Sequence, residues 1–141
     1  MVHIELLCVG RLKEPYFEAA CRAYEKRLTP HARLRVTQLP EGHPVEDRMP
    51  AGAYTTALCI DGESVGSEAL AARLQALMTA GRSSFCFLIG GSDGLPDAAV
   101  RRADWRLSLS RMTFPHHLAR VLLLEQLYRA FQIMSGGQYH K

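Results

Sequence analysis

Three glycines in five positions, Gly90, Gly91 and Gly94, follow the unbroken apolar run Phe85-Cys86-Phe87-Leu88-Ile89. A run without polar alternation reads as a strand buried on both faces, as in a parallel sheet. At the carboxyl end of such a strand, glycines let the backbone turn sharply and let a ligand approach without meeting a Cβ. In open α/β sheets that edge is where ligands bind. A tight strand-to-helix turn with no ligand fits the same residues. The spacing is not Gly-x-Gly-x-x-Gly and no Gly-Lys-Ser/Thr is present, which excludes the dinucleotide fingerprint and the P-loop. A ligand at this turn is expected not to be held by its phosphates.

No Ser/His/Asp elbow, His-Glu-x-x-His or paired-carboxylate signature appears. No Cys-x-x-Cys or His/Cys cluster has metal-ligand spacing, so no metal is expected. Asp93, inside the glycine turn, suits a catalytic role or an Asx-type turn residue bonding its own backbone. His116-His117 stand where a last helix should begin, and there the helix dipole favours a neutral imidazole. RNA contact and plain surface both suit them. Arg120 and Arg129, farther along the same segment, suit phosphate or a solvated face. Tyr139-His140-Lys141 offer a stacking ring, a group titrating near neutral pH and a cation, at a terminus where disorder is the usual expectation.

The elements that must position these residues follow in order. Val2–Val9 reads as a first strand, closed by Gly10 and the basic turn Arg11-Leu12-Lys13-Glu14. Pro15 opens a helix to about Leu28, with Phe17, Ala20, Cys21, Tyr24 and Leu28 on one face. Leu34–Leu39 alternates like a strand with one exposed face. Residues 40–53, rich in proline, glycine and charge, read as a long loop of the functional or mobile kind. Thr55–Ile60 is a third strand ending in the turn pair Asp61-Gly62. Ser64 and Ser67 are candidate caps for a helix closed by Gly81. The organising strand 84–89 is followed by a short helix from Pro96 to about Ala103, a fifth strand Trp105–Leu109, and a loop Ser110–Phe114. The last helix runs from Pro115 to about Met134, and Leu122-Leu123-Leu124 makes it apolar around much of its circumference. Core burial or cover by a second chain accounts equally for that. Alternating strands and helices argue for an α/β fold with a mostly parallel sheet covered by helices.

A chain of 141 residues with 48% hydrophobic and 22% charged residues is expected to form one soluble globular domain, 1–141. No segment approaches the ~20 apolar residues of a membrane span. The amino-terminal run lacks the basic lead of a signal peptide. Cys8, Cys21, Cys59 and Cys86 are expected to be free thiols in a reducing cytoplasm. A net charge of +3 leans mildly toward polyanionic partners, and arginine greatly outnumbers lysine, which suits phosphate and base recognition.

Four stretches occur together and in order: Leu88–Leu95, Leu107–His116, Leu124–Phe131 and Tyr139-His140-Lys141. With Val9–Glu14 at the start, they closely resemble the RlmH family, bacterial 23S rRNA pseudouridine N3-methyltransferases of the SPOUT class. Segment 40–54 is shorter than in many members. The resemblance implies an α/β fold whose carboxyl-terminal part, about residues 55–141, is threaded into a trefoil knot. It also implies a homodimer and S-adenosylmethionine as methyl donor, in a pocket lined by Leu58, Gly90, Leu109, Ser110, Arg111, Met112, Thr113 and Phe114. The donor carries no phosphate, in keeping with the missing P-loop. Its sulfonium already activates the methyl group, so the catalytic task is to place the pseudouridine N3 and let it lose its proton. His140 is the expected base or orienter, with Tyr139 packing the base and Arg129 near the transferred group. Arg11, Lys13, Arg111 and Arg120 are the expected contacts to the ribosome's 23S rRNA. Two competing readings are a relative acting on another RNA, such as tRNA, and a non-catalytic RNA-binding protein.

Overall fold

The computed structural model describes all residues, Met1–Lys141. Its strands are β1 (Val2–Val9), β2 (Ala32–Leu39), β3 (Tyr54–Ser64), β4 (Ser84–Ile89) and β5 (Trp105–Ser108). Its helices are α1 (Pro15–Leu28), α2 (Ser67–Thr79), α3 (Asp97–Arg102) and α4 (His116–Met134). The strands form one sheet in the order β2-β1-β4-β3-β5, and every pairing is parallel.

The alternation of side chains along β1 and β4 explains why both are apolar at nearly every position. Ile4, Leu6 and Cys8 of β1, with Phe85, Phe87 and Ile89 of β4, join a core of 20 buried residues that includes Cys21 and Leu28 of α1, Leu70 and Leu74 of α2, and Leu123, Leu124, Leu127 and Phe131 of α4. Leu7 and Val9, with Cys86 and Leu88, turn the other way into a smaller core with Val45, Ala57 and Ala99. A strand feeding two cores has no polar face to present.

Segment 40–53 is a loop, as expected, pinned at its centre. Val45–Arg48 forms a 3₁₀ turn, Val45 is fully buried in the smaller core, and the carbonyl of Glu46 accepts from Arg102 Nη1 at 3.0 Å. With α3, this segment covers one face of the sheet. β3 corrects an expectation. It does not end at Asp61-Gly62 but rejoins β5 at Glu63 and Ser64 after a bulge. A Cβ on Gly62 would lie 2.8 Å from the Arg106 and Leu107 backbone, so the glycine serves close strand approach, not a turn. Neither serine caps α2: its N-cap is Gly66, and Ser67 Oγ donates to Gln126 Oε1 of α4 at 2.6 Å. No helix is long and apolar enough to cross a membrane.

Candidate active site

The middle of β3 (Leu58–Ile60), the carboxyl ends of β4 and β5 and the first turn of α4 line a cavity of about 290 Å³. Leu58, Gly90, Leu109, Ser110, Met112, Thr113 and Phe114 all line it. Arg111, in the middle of the same loop, does not: it is exposed to solvent. Ile89, Gly91, Leu107, His116 and Ala119 complete much of the wall. The glycine turn points to Gly91 and the His116-His117 pair to His116; nothing in the spacing singles out Ile89, Leu107 or Ala119, although the strand-end rule names their neighbourhood.

The lining is nearly without charge. His116 and Cys59 are its only titratable side chains. Burial, reinforced by neighbouring His117 and opposed by Glu41, holds the His116 pKa below the usual histidine range, so the imidazole is neutral at pH 7. Burial and nearby Asp61 push the Cys59 thiol up, which keeps it protonated. Glu41 lies against Gly91, where both its carboxylate oxygens would be within 2.7 Å of an added Cβ, but it is not part of the wall.

Two local devices fix the shape. Gly94 N–H donates to Gly91 C=O at 3.0 Å, closing a turn in which Ser92 and Asp93 are exposed. A Cβ on Gly90 would stand 2.5 Å from the Gly94 carbonyl carbon and 2.7 Å from Leu95 N. Gly90 is therefore required by the chain's own turn, before any ligand enters. On the opposite wall, buried Ser108 donates through Oγ to Ser110 C=O at 2.8 Å, and Ser110 Oγ accepts from Met112 N–H at 2.9 Å.

The expected catalytic residues form a second cluster, at the other end of α4. Gly136 N–H donates to Ile133 C=O and Gly137 N–H to Gln132 C=O, a Schellman closure that returns the tail onto the helix. Glu125 is the hub. Its Oε2 accepts from Arg129 Nη2 at 2.8 Å, Arg129 Nε at 3.1 Å and Tyr139 Oη at 2.9 Å. The Arg129 guanidinium also sits 4.8 Å from the Tyr139 ring centroid. Burial and the bond to Glu125 push the Tyr139 phenol up to about 12, so at neutral pH it is a donor and not a base.

The tautomer of His140 follows from its neighbours. Arg129 Nη1 lies 2.9 Å from Nδ1, and a guanidinium only donates, so Nδ1 is the acceptor. Nε2 then carries the hydrogen and donates to Glu68 Oε1 at 2.7 Å. Both ring nitrogens are occupied.

No residue of this cluster lines the cavity. Arg129 is ten residues beyond Ala119 on α4, about 15 Å along the helix at 1.5 Å per residue.

Of the expected RNA contacts, Arg11, Lys13 and Arg111 are exposed, and none makes an ion pair. Arg120 corrects the expectation: it is only 3% exposed. Its Nη1 donates to Gln38 Oε1 at 2.9 Å and its Nη2 to Gly10 C=O at 3.2 Å. Gln38 Oε1 also accepts from Leu12 N–H at 3.0 Å. Arg120 therefore clamps the β1–α1 turn to α4, and presents Arg11 and Lys13 instead of reaching out itself.

Comparison with known proteins agrees with this architecture. A Ribosomal RNA large subunit methyltransferase H of Moorella thermoacetica is 41% identical over 160 residues, with both chains covered in full. The protein of that name from Clostridioides difficile is 39% identical over 159 residues, covering 99% of this chain and 100% of its own. A probable methyltransferase from Bordetella pertussis shares the fold, with a TM-score of 0.65 over 92% of this chain and 94% of that one, at 11% identity. The family profile described as "Predicted SPOUT methyltransferase" matches residues 2–140, and the chain belongs to that family.

Proposed function

We propose that this protein transfers a methyl group from S-adenosylmethionine to N3 of a pseudouridine in the 23S rRNA of the assembled ribosome, and that it does so as a homodimer. The observation that carries the reading is the cavity between the middle of β3 and the ends of β4 and β5 in a chain of a methyltransferase family. It is apolar and uncharged, and it lacks any arginine or lysine with which to grip a phosphate. S-adenosylmethionine fits those walls, since it has no phosphate and brings a methyl group already activated by its positive sulfur. Leu58, Ile89, Met112 and Phe114 offer apolar surface for a flat ring, and backbone N–H and C=O groups of 109–114 can read its edge. Neutral His116 adds no charge to repel the sulfonium.

The acceptor N3 is an imide that must give up its proton. Arg129 stays charged and can stabilise the anion that results, while Tyr139 can donate to or pack against the base. His140 becomes a proton acceptor only when Arg129 releases Nδ1, a change that docking of an anionic substrate onto Arg129 would bring about. No residue of the cluster lines the cavity, and Arg129 stands about 15 Å beyond Ala119 along α4; in this reading a second copy brings its cluster to the first copy's cavity. It would also cover the half-exposed Val121 and Leu122 of the over-apolar helix. In this reading residues 1–141 act as one domain, knotted over about 55–141.

The test is transfer of labelled methyl to ribosomes, free subunits, naked rRNA and tRNA side by side, on protein whose mass in solution is also measured. Label confined to ribosomes, mapped to N3 of a pseudouridine, by a species of twice the 15.7 kDa chain mass is expected. Label on tRNA would overturn the substrate, and an active monomer would overturn the shared site.

A further inference from the structure

The β1–α1 turn carries more than its two free cations. Tyr16, in the first turn of α1, is 67% exposed, one of four large apolar side chains left in solvent. Single exposed apolar residues are ordinary, but this ring is not isolated. Phe17 meets it edge-on at 4.7 Å between centroids, Phe17 meets His117 at 6.2 Å, and His117 meets His116 at 4.1 Å. His116 lines the cavity. A row of rings thus runs from the exposed tyrosine to the candidate active site. Glu14 fixes the row by bonding His117 Nδ1 at 3.1 Å. Two of the other exposed apolar side chains, Ile60 and Met112, each 76% exposed, stand on the rim of the same cavity.

The charges beside Tyr16 have the complementary character. Arg11 and Lys13 are exposed and unpaired. Of the carboxylates around the turn, Glu14 bonds His117 and Glu18 pairs with Arg22, while Glu41, beside Gly10, makes no ion pair with either cation. An exposed ring backed by a second ring and flanked by free cations is the arrangement with which proteins hold unpaired nucleotides: base on the aromatic face, phosphate on the cation.

We propose that Tyr16 is a stacking platform for an unpaired base of the substrate RNA, close in sequence to the base that enters the cavity, with Arg11 and Lys13 on the backbone of that segment. This rests on the RNA methyltransferase reading and adds to it a contact that sets the register of the strand. Every base has a π-face, so the platform fixes position and not sequence.

The test compares wild type with Tyr16→Ala and Tyr16→Phe in methyl transfer to ribosomes, alongside calorimetric binding of S-adenosylmethionine. Tyr16→Ala should raise KM for the ribosome about tenfold and leave the affinity for the methyl donor unchanged. Tyr16→Phe, which keeps the ring, should behave as wild type. Arg11→Ala and Lys13→Ala should each flatten the salt dependence of ribosome binding, and Tyr16→Ala should not. An unchanged KM for Tyr16→Ala overturns the proposal, as does a Tyr16→Phe defect equal to that of Ala. Tyr16→Ala that binds ribosomes more weakly than wild type but binds a naked rRNA fragment carrying the target equally well would assign the contact to a ribosomal protein and overturn it too. Wild type inactive on every RNA would instead bring down the underlying function.

Discussion

Glu125 is the residue on which the tail depends. Burial works against its carboxylate, but hydrogen bonds from Arg129, Tyr139 and Gln126, with the Arg129 charge, outweigh burial and hold the pKa below the usual range. A depressed carboxylate contributes stability that is full above its unfolded value of about 4.3 and is lost as pH falls through the folded value. Glu125→Gln should therefore cost about 1–3 kcal/mol at pH 7 and less at pH 3, which lies below the unfolded value, where the contribution of the charge has begun to fall. Urea unfolding at both pH values checks this; an equal cost at each would mean that the charge is not what matters. At this scale the sequence was partly legible. Tyr139, Arg129 and His140 stand out by type, and they do meet. Their hub, Glu125, has no signal of its own, because an acid four residues before an arginine on a helix is commonplace. Arg120 was misread for a related reason: its burial depends on Gln38 and Gly10, which lie 82 and 110 residues away.

Elements whose identity depends on local pattern were legible, and those fixed by a distant partner were not. The strand 84–89 followed by glycines is in the structure as read, since doubly buried strands carry their own signature. The bulge in β3 and the 3₁₀ turn at Val45–Arg48 arise from contacts with β5 and α3, and no window of sequence contains both partners. The glycine turn supplies the prediction at this scale. Gly90→Ala places a methyl group on the Gly94 and Leu95 backbone, so it should cost about 1–3 kcal/mol as an overpacking change, and the displaced turn should weaken S-adenosylmethionine binding. Thermal unfolding and calorimetric titration of the variant check both; unchanged donor affinity would detach the turn from the pocket.

Across the whole molecule, the sheet divides the labour. One face carries α1, α2 and α4 over the larger core, the other carries the 3₁₀ turn and α3 over the smaller one, and the cavity opens at the strand ends between them. Composition and alternation gave the α/β class and the parallel sheet. Motif resemblance supplied the family, because strand order and threading leave no mark in periodicity.

The uncharged wall of that cavity bears on how the protein would be throttled. Removing the methyl group from S-adenosylmethionine takes away one carbon and one positive charge and leaves the rest of the molecule intact. A lining without a carboxylate offers the sulfonium no ion pair, and Glu41 acts only from behind Gly91, so the spent product, S-adenosylhomocysteine, should bind within a few-fold of the donor when the two are titrated separately. Turnover would then follow the ratio of donor to product and not the amount of donor, tying methylation by this chain to how quickly spent product is cleared. A product that binds a hundredfold more weakly would show that the charge is sensed after all.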